Sequence, residues 1–197
     1  MFIVIEGMDG SGKTTQAVRL SKTLPNAKYM RHPSGNYREL IMMDDTTRAE
    51  ELFLFAADFA HNSRKIFHDI LHGTAVVCDR YVPSFFAYQH ALKKFDKKFI
   101  RSILENSQLL VPDILIILDT NISVAKERIL SRNANNAKDN HTLEEWATLS
   151  NYYKQEAIPD LFEAKNCKII NGNNSEDVVH NEIMDYIMWI KNASPRD

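Results

Sequence analysis

The sequence predicts an α/β fold: a parallel β-sheet wrapped by helices on both faces. Three observations predict it: short apolar runs unbroken by charge, amphipathic stretches between them, and alternation of the two along the chain. The clearest apolar runs are 2–5, 75–78 and 114–118, each followed by polar residues, as expected of strands buried on both faces. Residues 27–30 and 168–170 are weaker strand candidates. Helical spacing runs through 13–24, which Pro25 stops, and through 48–71, where Leu52, Phe55, Phe59, Ile66 and Ile70 recur. Further helices are expected at 97–110, 123–132, 143–162 and 176–191. The small polar stretch 133–140 reads as a loop.

With 197 residues, the chain suits one domain over 1–197, large enough for a core that needs no staples. A net charge of −2 gives no global attraction to nucleic acid or to an anionic membrane, although a few local cations could still hold an anionic ligand. No stretch approaches membrane-spanning length, and the opening run is too short for a secretion signal and lacks its basic flank. Cys78 and Cys167 suit a reduced compartment, with Cys78 most simply a small core residue. A cytoplasmic protein with no nucleic-acid or membrane partner is expected.

Gly7-Met8-Asp9-Gly10-Ser11-Gly12-Lys13-Thr14 fits the pattern G-x-x-x-x-G-K-[ST], between an apolar strand and an amphipathic helix. In a chain with six glycines a chance match is on the order of one in a thousand. Gly7, Gly10 and Gly12 let the backbone curl so that its N–H groups, with those of Ser11 and Thr15 in the same turn, face phosphate oxygens. The helix beginning near Lys13 adds the positive end of its dipole. Lys13 supplies a cation for the β and γ phosphates of ATP, and the Thr14 hydroxyl suits Mg²⁺. The sheet is thus expected to be of the P-loop NTPase type. The run 75–78 ends in Asp79-Arg80-Tyr81, and beyond the C-terminal end of a parallel strand these residues fall beside the phosphate loop. Asp79 there can hold Mg²⁺ directly or through water, and Arg80 can grip a phosphate at two points. A surface Asp–Arg pair is the plainer alternative.

From Phe2-Ile3-Val4-Ile5-Glu6 through the phosphate loop to Thr15, the chain resembles the opening of thymidylate kinases, a family of P-loop nucleoside monophosphate kinases. Arg31-His32-Pro33 is similar to their Arg-x-Pro turn, and Asp79-Arg80-Tyr81 with Ser84 and Ala87-Tyr88-Gln89 to their Asp-Arg-Tyr…Ser-x-x-Ala-Tyr segment. Leu118-Asp119, Arg128, Arg132, Tyr153 and Ala157 follow in the family's order. The resemblance implies transfer of the γ-phosphoryl of ATP, with Mg²⁺, to a deoxynucleoside 5′-monophosphate, foremost dTMP, giving dTDP and ADP. It also implies that Asp9 contacts the 3′-hydroxyl region of the acceptor sugar. Arg31, Arg38 and Arg80 would serve the acceptor phosphate, Phe55 would stack on the base, and Ser84 and Tyr88 would line the same site, Tyr88 disfavouring a 2′-hydroxyl. Core packing is the alternative for Phe55 and Tyr88.

The chain departs from that pattern where the base is read. Phe59 stands where the family usually has a base-reading arginine, and Phe85 where it often has a small or polar residue. Losing a charge-assisted hydrogen bond costs ~1.5–3 kcal/mol, so the alternatives are a modified pyrimidine, relaxed specificity, or readout by His61 or Asn62. The phosphate loop has no arginine, so the cations on the transferring phosphoryl are expected to be Lys13 with Arg132, then Arg128, where the chain enters a short mobile lid at about 132–145. A solvated basic helix end is the alternative. Family members are commonly dimers, and the apolar positions of 53–67 are candidates for that face or for core. Two rival activities stay open: a deoxynucleoside kinase using Glu6 as base, and an ATP-binding module without kinase turnover, which residues 79–89 disfavour.

Overall fold

A computed structural model of the chain describes residues 1–131, 141–155, 157 and 166–193. The expected sheet is present. Strands β1 (Phe2–Glu6), β2 (Ala27–Arg31), β3 (Ala75–Asp79), β4 (Ile114–Asp119) and β5 (Cys167–Asn171) lie in the order β2-β3-β1-β4-β5. All four pairings are parallel. Position in the sheet explains which strands were easy to read. β1, β3 and β4 have neighbours on both sides and are almost wholly buried, whereas the edge strands β2 and β5 carry exposed residues.

Eight α-helices are described: α1 (Lys13–Thr23), α2 (Gly35–Ile41), α3 (Arg48–Leu71), α4 (Val82–Phe85), α5 (Lys97–Glu105), α6 (Ile122–Leu130), α7 (Leu143–Gln155) and α8 (Glu176–Ala193). Side chains alternate across the strands and so split the core in two. Ile3, Ile5, Val77 and Ile116 face α1 and α8 through Leu20 and Ile183. Phe2, Val4, Cys78 and Ile117 face the other helical layer, with Phe59, Phe85 and Leu149. Each such fully buried side chain contributes roughly 1.5–3 kcal/mol. Cys78 is a buried core thiol, as expected, and both cysteines are free.

Local chemistry sets the helix ends. Thr47 and Glu50 form a reciprocal capping box that starts α3, and the Asp96 carboxylate caps α5. α5 stops at Glu105 rather than at residue 110, and Gln108 takes a left-handed backbone (φ 49°). α2 was not expected, nor was α4, which runs directly into a π-helical stretch, Phe86–Leu92. Pro83 sits in the first turn of α4, where its missing N–H costs nothing. Among the described residues no helix is long and apolar enough to cross a membrane.

Candidate active site

The site gathers beyond the C-terminal ends of β1 and β3. Gly12 stands in a left-handed conformation at the N-cap of α1, whose first turn carries neither a side-chain cap nor an acidic residue. Its leading N–H groups are therefore left for an anion. Gly10 has a second duty besides the curl: at φ +75° any Cβ would collide with the Ala125 carbonyl of α6. Lys13 donates to the Met8 carbonyl at 2.8 Å and lies 3.8 Å from the Asp9 carboxylate. Burial, then the nearby Arg80 guanidinium, push its pKa down to about 8, although Asp9, Asp79 and Glu6 pull the other way.

Thr14 donates its hydroxyl to Asp79 Oδ2 at 2.5 Å. Tyr29 reaches the same oxygen at 3.3 Å, and Arg31 Nε lies 3.9 Å from it. Asp79 is fully buried, and its Oδ1 has no hydrogen-bond partner. Two hard oxygen donors in contact, one with a buried lone pair to spare, fit a divalent cation such as Mg²⁺.

Asp9 is the hub. Its Oδ1 pairs with Arg80, and its Oδ2 accepts from the Tyr88 hydroxyl and lies 3.4 Å from His141 Nε2. Burial would raise this carboxyl, but Arg80, the His141 contact, Lys13 and Tyr88 together hold it well below the usual range. Arg80 itself has φ 72°, a left-handed backbone that a side-chain-bearing residue adopts at a cost of roughly 1–3 kcal/mol. The bend follows β3 directly, and the guanidinium lies over the Tyr88 ring at 5.2 Å.

Glu6 closes this bend from beneath. Fully buried, it accepts the N–H groups of Tyr81 (2.6 Å) and Ser84 (3.1 Å) and the Ser84 hydroxyl (2.6 Å). Burial pushes its pKa up against those bonds. Its oxygens are occupied and it does not line the cleft, which corrects the notion of Glu6 as a base for a sugar hydroxyl.

A cleft of about 430 Å³ runs from Lys13 and Thr14 past Arg31, Arg38 and Arg80 to an aromatic wall of Phe55 and Phe85, whose ring centres are 6.0 Å apart. Tyr88 and Ser84 also line it. Phe59 does not. It is 1% exposed and packs behind the wall against Phe85, Tyr81 and His32. The position where the family usually reads the base therefore lies behind the wall here, and Phe59 supports Phe55 and Phe85 from the core. His61 lies against Tyr37, and Asn62 is buried on Asp58 and Ser34, so neither reaches the cleft. At the same end Gln89 donates to Glu51 at 3.0 Å and Lys93 pairs with that carboxylate.

Arg128 donates to the Gly172 carbonyl at 2.8 Å and reaches the carbonyls of Ser11 and Asn174, bracing the phosphate loop. Arg132 and the expected lid as far as residue 140 lie outside the described residues.

Sequence reasoning missed three positioning groups. Asp58, wholly buried, takes the Ser34 hydroxyl at 2.5 Å and Asn62 at 2.7 Å, with His32 Nδ1 at 2.6 Å, and so pins the turn after Arg31 onto α3. A charged residue on the apolar face of a helix was the available signal. Glu51 gave a similar signal, and His141 gave none.

An uncapped helix N-terminus with its lysine, opening onto a second, arginine-lined and aromatic-walled pocket, defines a P-loop phosphotransferase whose acceptor is itself anionic and ringed. The family model for thymidylate kinase matches residues 5–183. A thymidylate kinase of Mycoplasmoides gallisepticum is 32% identical over 206 residues, covering 98% of this chain and 96% of that protein. A probable thymidylate kinase of Methanocaldococcus jannaschii is 35% identical, over 95% of each chain. A thymidylate kinase of Wolbachia pipientis wMel is 31% identical, over 95% of this chain and all of that protein. The chain belongs to the thymidylate kinase family.

Proposed function

We infer that this protein transfers the γ-phosphoryl of ATP to dTMP, giving dTDP and ADP. One observation carries the reading: the phosphate loop and the aromatic pocket share one continuous cleft, joined at the Asp9–Arg80 pair. Donor and acceptor phosphates can meet there. Arg31, Arg38 and Arg80 hold the acceptor phosphate, Phe55 stacks on the base, and Tyr88 flanks the sugar beside Asp9. The acceptor phosphate is already a nucleophile near neutral pH, so positioning and charge stabilisation suffice without a general base. Thr14 and Asp79 would hold Mg²⁺, which when bound neutralises charge on the β and γ oxygens. A deoxynucleoside kinase is disfavoured because Glu6 is occupied within the fold.

The test is a coupled assay of ADP release across nucleoside monophosphates, modified pyrimidines included. dTMP should give the highest kcat/KM. Turnover with thymidine but not dTMP, or ATP hydrolysis indifferent to any acceptor, would overturn the reading. Two further points belong to it. The free thiols Cys78 and Cys167 favour a cytoplasmic setting. Phe53, Phe67 and Leu71 are exposed on one side of α3 and favour a homodimer, which sedimentation checks.

A further inference from the structure

Resting on that reading, we propose that His141 is a positioning residue of the acceptor site, holding Asp9, and through it Arg80, from the start of α7. His141 immediately precedes Thr142, which forms a reciprocal capping box with Glu145: the Thr142 N–H donates to Glu145 Oε2 at 2.8 Å and the Glu145 N–H to the Thr142 hydroxyl at 3.2 Å. The His141 ring meets Trp146 edge-on, with centroids 5.4 Å apart, in the place where a hydrophobic staple joins the residue before the cap to the first turn. Trp146 is buried. Helix α7 thus fixes the imidazole, and its side chain is only 9% exposed.

From that fixed point Nε2 faces Asp9 Oδ2 at 3.4 Å, and the ring lies 6.0 Å from Tyr88. Asp9 stays ionised beside Arg80 and Lys13 and can only accept, so Nε2 carries the proton. The other groups on this carboxylate, Lys13, Arg80 and Tyr88, come from the phosphate loop, the bend after β3 and the π-helical stretch. His141 adds the α7 side and completes the ring of donors about both oxygens. Since Asp9 Oδ1 in turn pairs with Arg80, the lateral position of the guanidinium that meets the acceptor phosphate depends on how firmly Oδ2 is held. The donor phosphates depend on it less, because Lys13 also rests on the Met8 carbonyl.

The test compares the wild type with His141→Phe, which keeps a ring against Trp146 and removes the donor, and with His141→Gln, which restores an N–H of similar reach. Affinity for dTMP and for ATP is measured by calorimetry, together with Tm. His141→Phe should weaken dTMP by roughly 3- to 10-fold, the size of one long hydrogen bond to a charged group, with ATP affinity and Tm nearly unchanged. His141→Gln should recover most of the loss. Unchanged dTMP binding in His141→Phe overturns the role. So does a Gln variant no better than Phe, or an equal loss of both ligands with a fallen Tm, which would make His141 a packing residue. A wild type that does not bind dTMP at all would overturn the acceptor reading itself, and this role with it.

Discussion

Arg80, one residue beyond β3, ion-pairs with Asp9 in the loop that follows β1, so the loop built for the donor and the cation built for the acceptor orient each other. Burial would weaken the charge on each, yet the pair holds Asp9 low and Arg80 high. Neither group can be altered without disturbing the other.

Arg80→Ala should therefore weaken dTMP binding by roughly 2–3 kcal/mol, the scale of a hydrogen-bonded charge pair, while changing ATP affinity far less. Calorimetry with each ligand separates the two. Equal losses would move Arg80 to the donor side.

Lys13 carries a pH dependence of definite sign. Its folded pKa of about 8 lies below the ordinary 10.5. Between those values the unfolded chain binds more protons than the folded one, so stability should rise as pH climbs from about 8 to 10.5. The gain is at most about 3 kcal/mol and should be missing in Lys13→Met, as denaturant titrations of both proteins at pH 7.5 and 10 would read. Bound phosphates favour the charged lysine, so ATP affinity should fall above pH 8 and binding there should take up a proton. The variant should lose a thousandfold or more in kcat/KM, on the order expected for the main cation on the transferring phosphoryl.

Phe59→Arg should not sharpen the choice of thymine. The new guanidinium would enter the core behind Phe55 and Phe85 without an acceptor, a change that costs several kcal/mol. The expected outcome is a large drop in Tm with little change in the ratio of kcat/KM between dTMP and other monophosphates. A raised ratio at intact Tm would mean that the side chain reaches the cleft.

Asp58→Ala should cost roughly 3 kcal/mol or more, since it strands the buried His32 and Asn62 and the half-buried Ser34. It should also loosen the turn that carries Arg31 and Pro33, raising KM for dTMP more than KM for ATP. Equal changes in both would confine Asp58 to the core.

The central strands and long helices were legible in the sequence because two-sided burial and a 3.6-residue repeat leave marks in composition. α2 left no such mark, having seven residues and a single buried one, Ile41. The π-helical stretch left none either, because its wider turn breaks the spacing by which helices are recognised. In the site, the phosphate loop was readable since only glycine suits Gly10 and Gly12. The depth of Phe59 was not readable, because a motif position says which residue is present and not which layer of the wall it occupies. Asp58 and His141 owe their roles to partners 24 and 132 residues away, a relation no local pattern encodes.

The order of the sheet also bears on how the protein is made. β1 is made before the other four strands yet ends at the centre, its Phe2 N–H waiting for the Asp113 carboxylate 111 residues later. The phosphate loop waits longer, because α6 roofs Gly10 and Arg128 braces the loop against the Gly172 and Asn174 carbonyls. A nascent chain halted before Gly172 thus carries the whole nucleotide motif without the brace that holds it in shape. The residues that cradle the nucleotide thus precede by more than a hundred positions the segments that steady them.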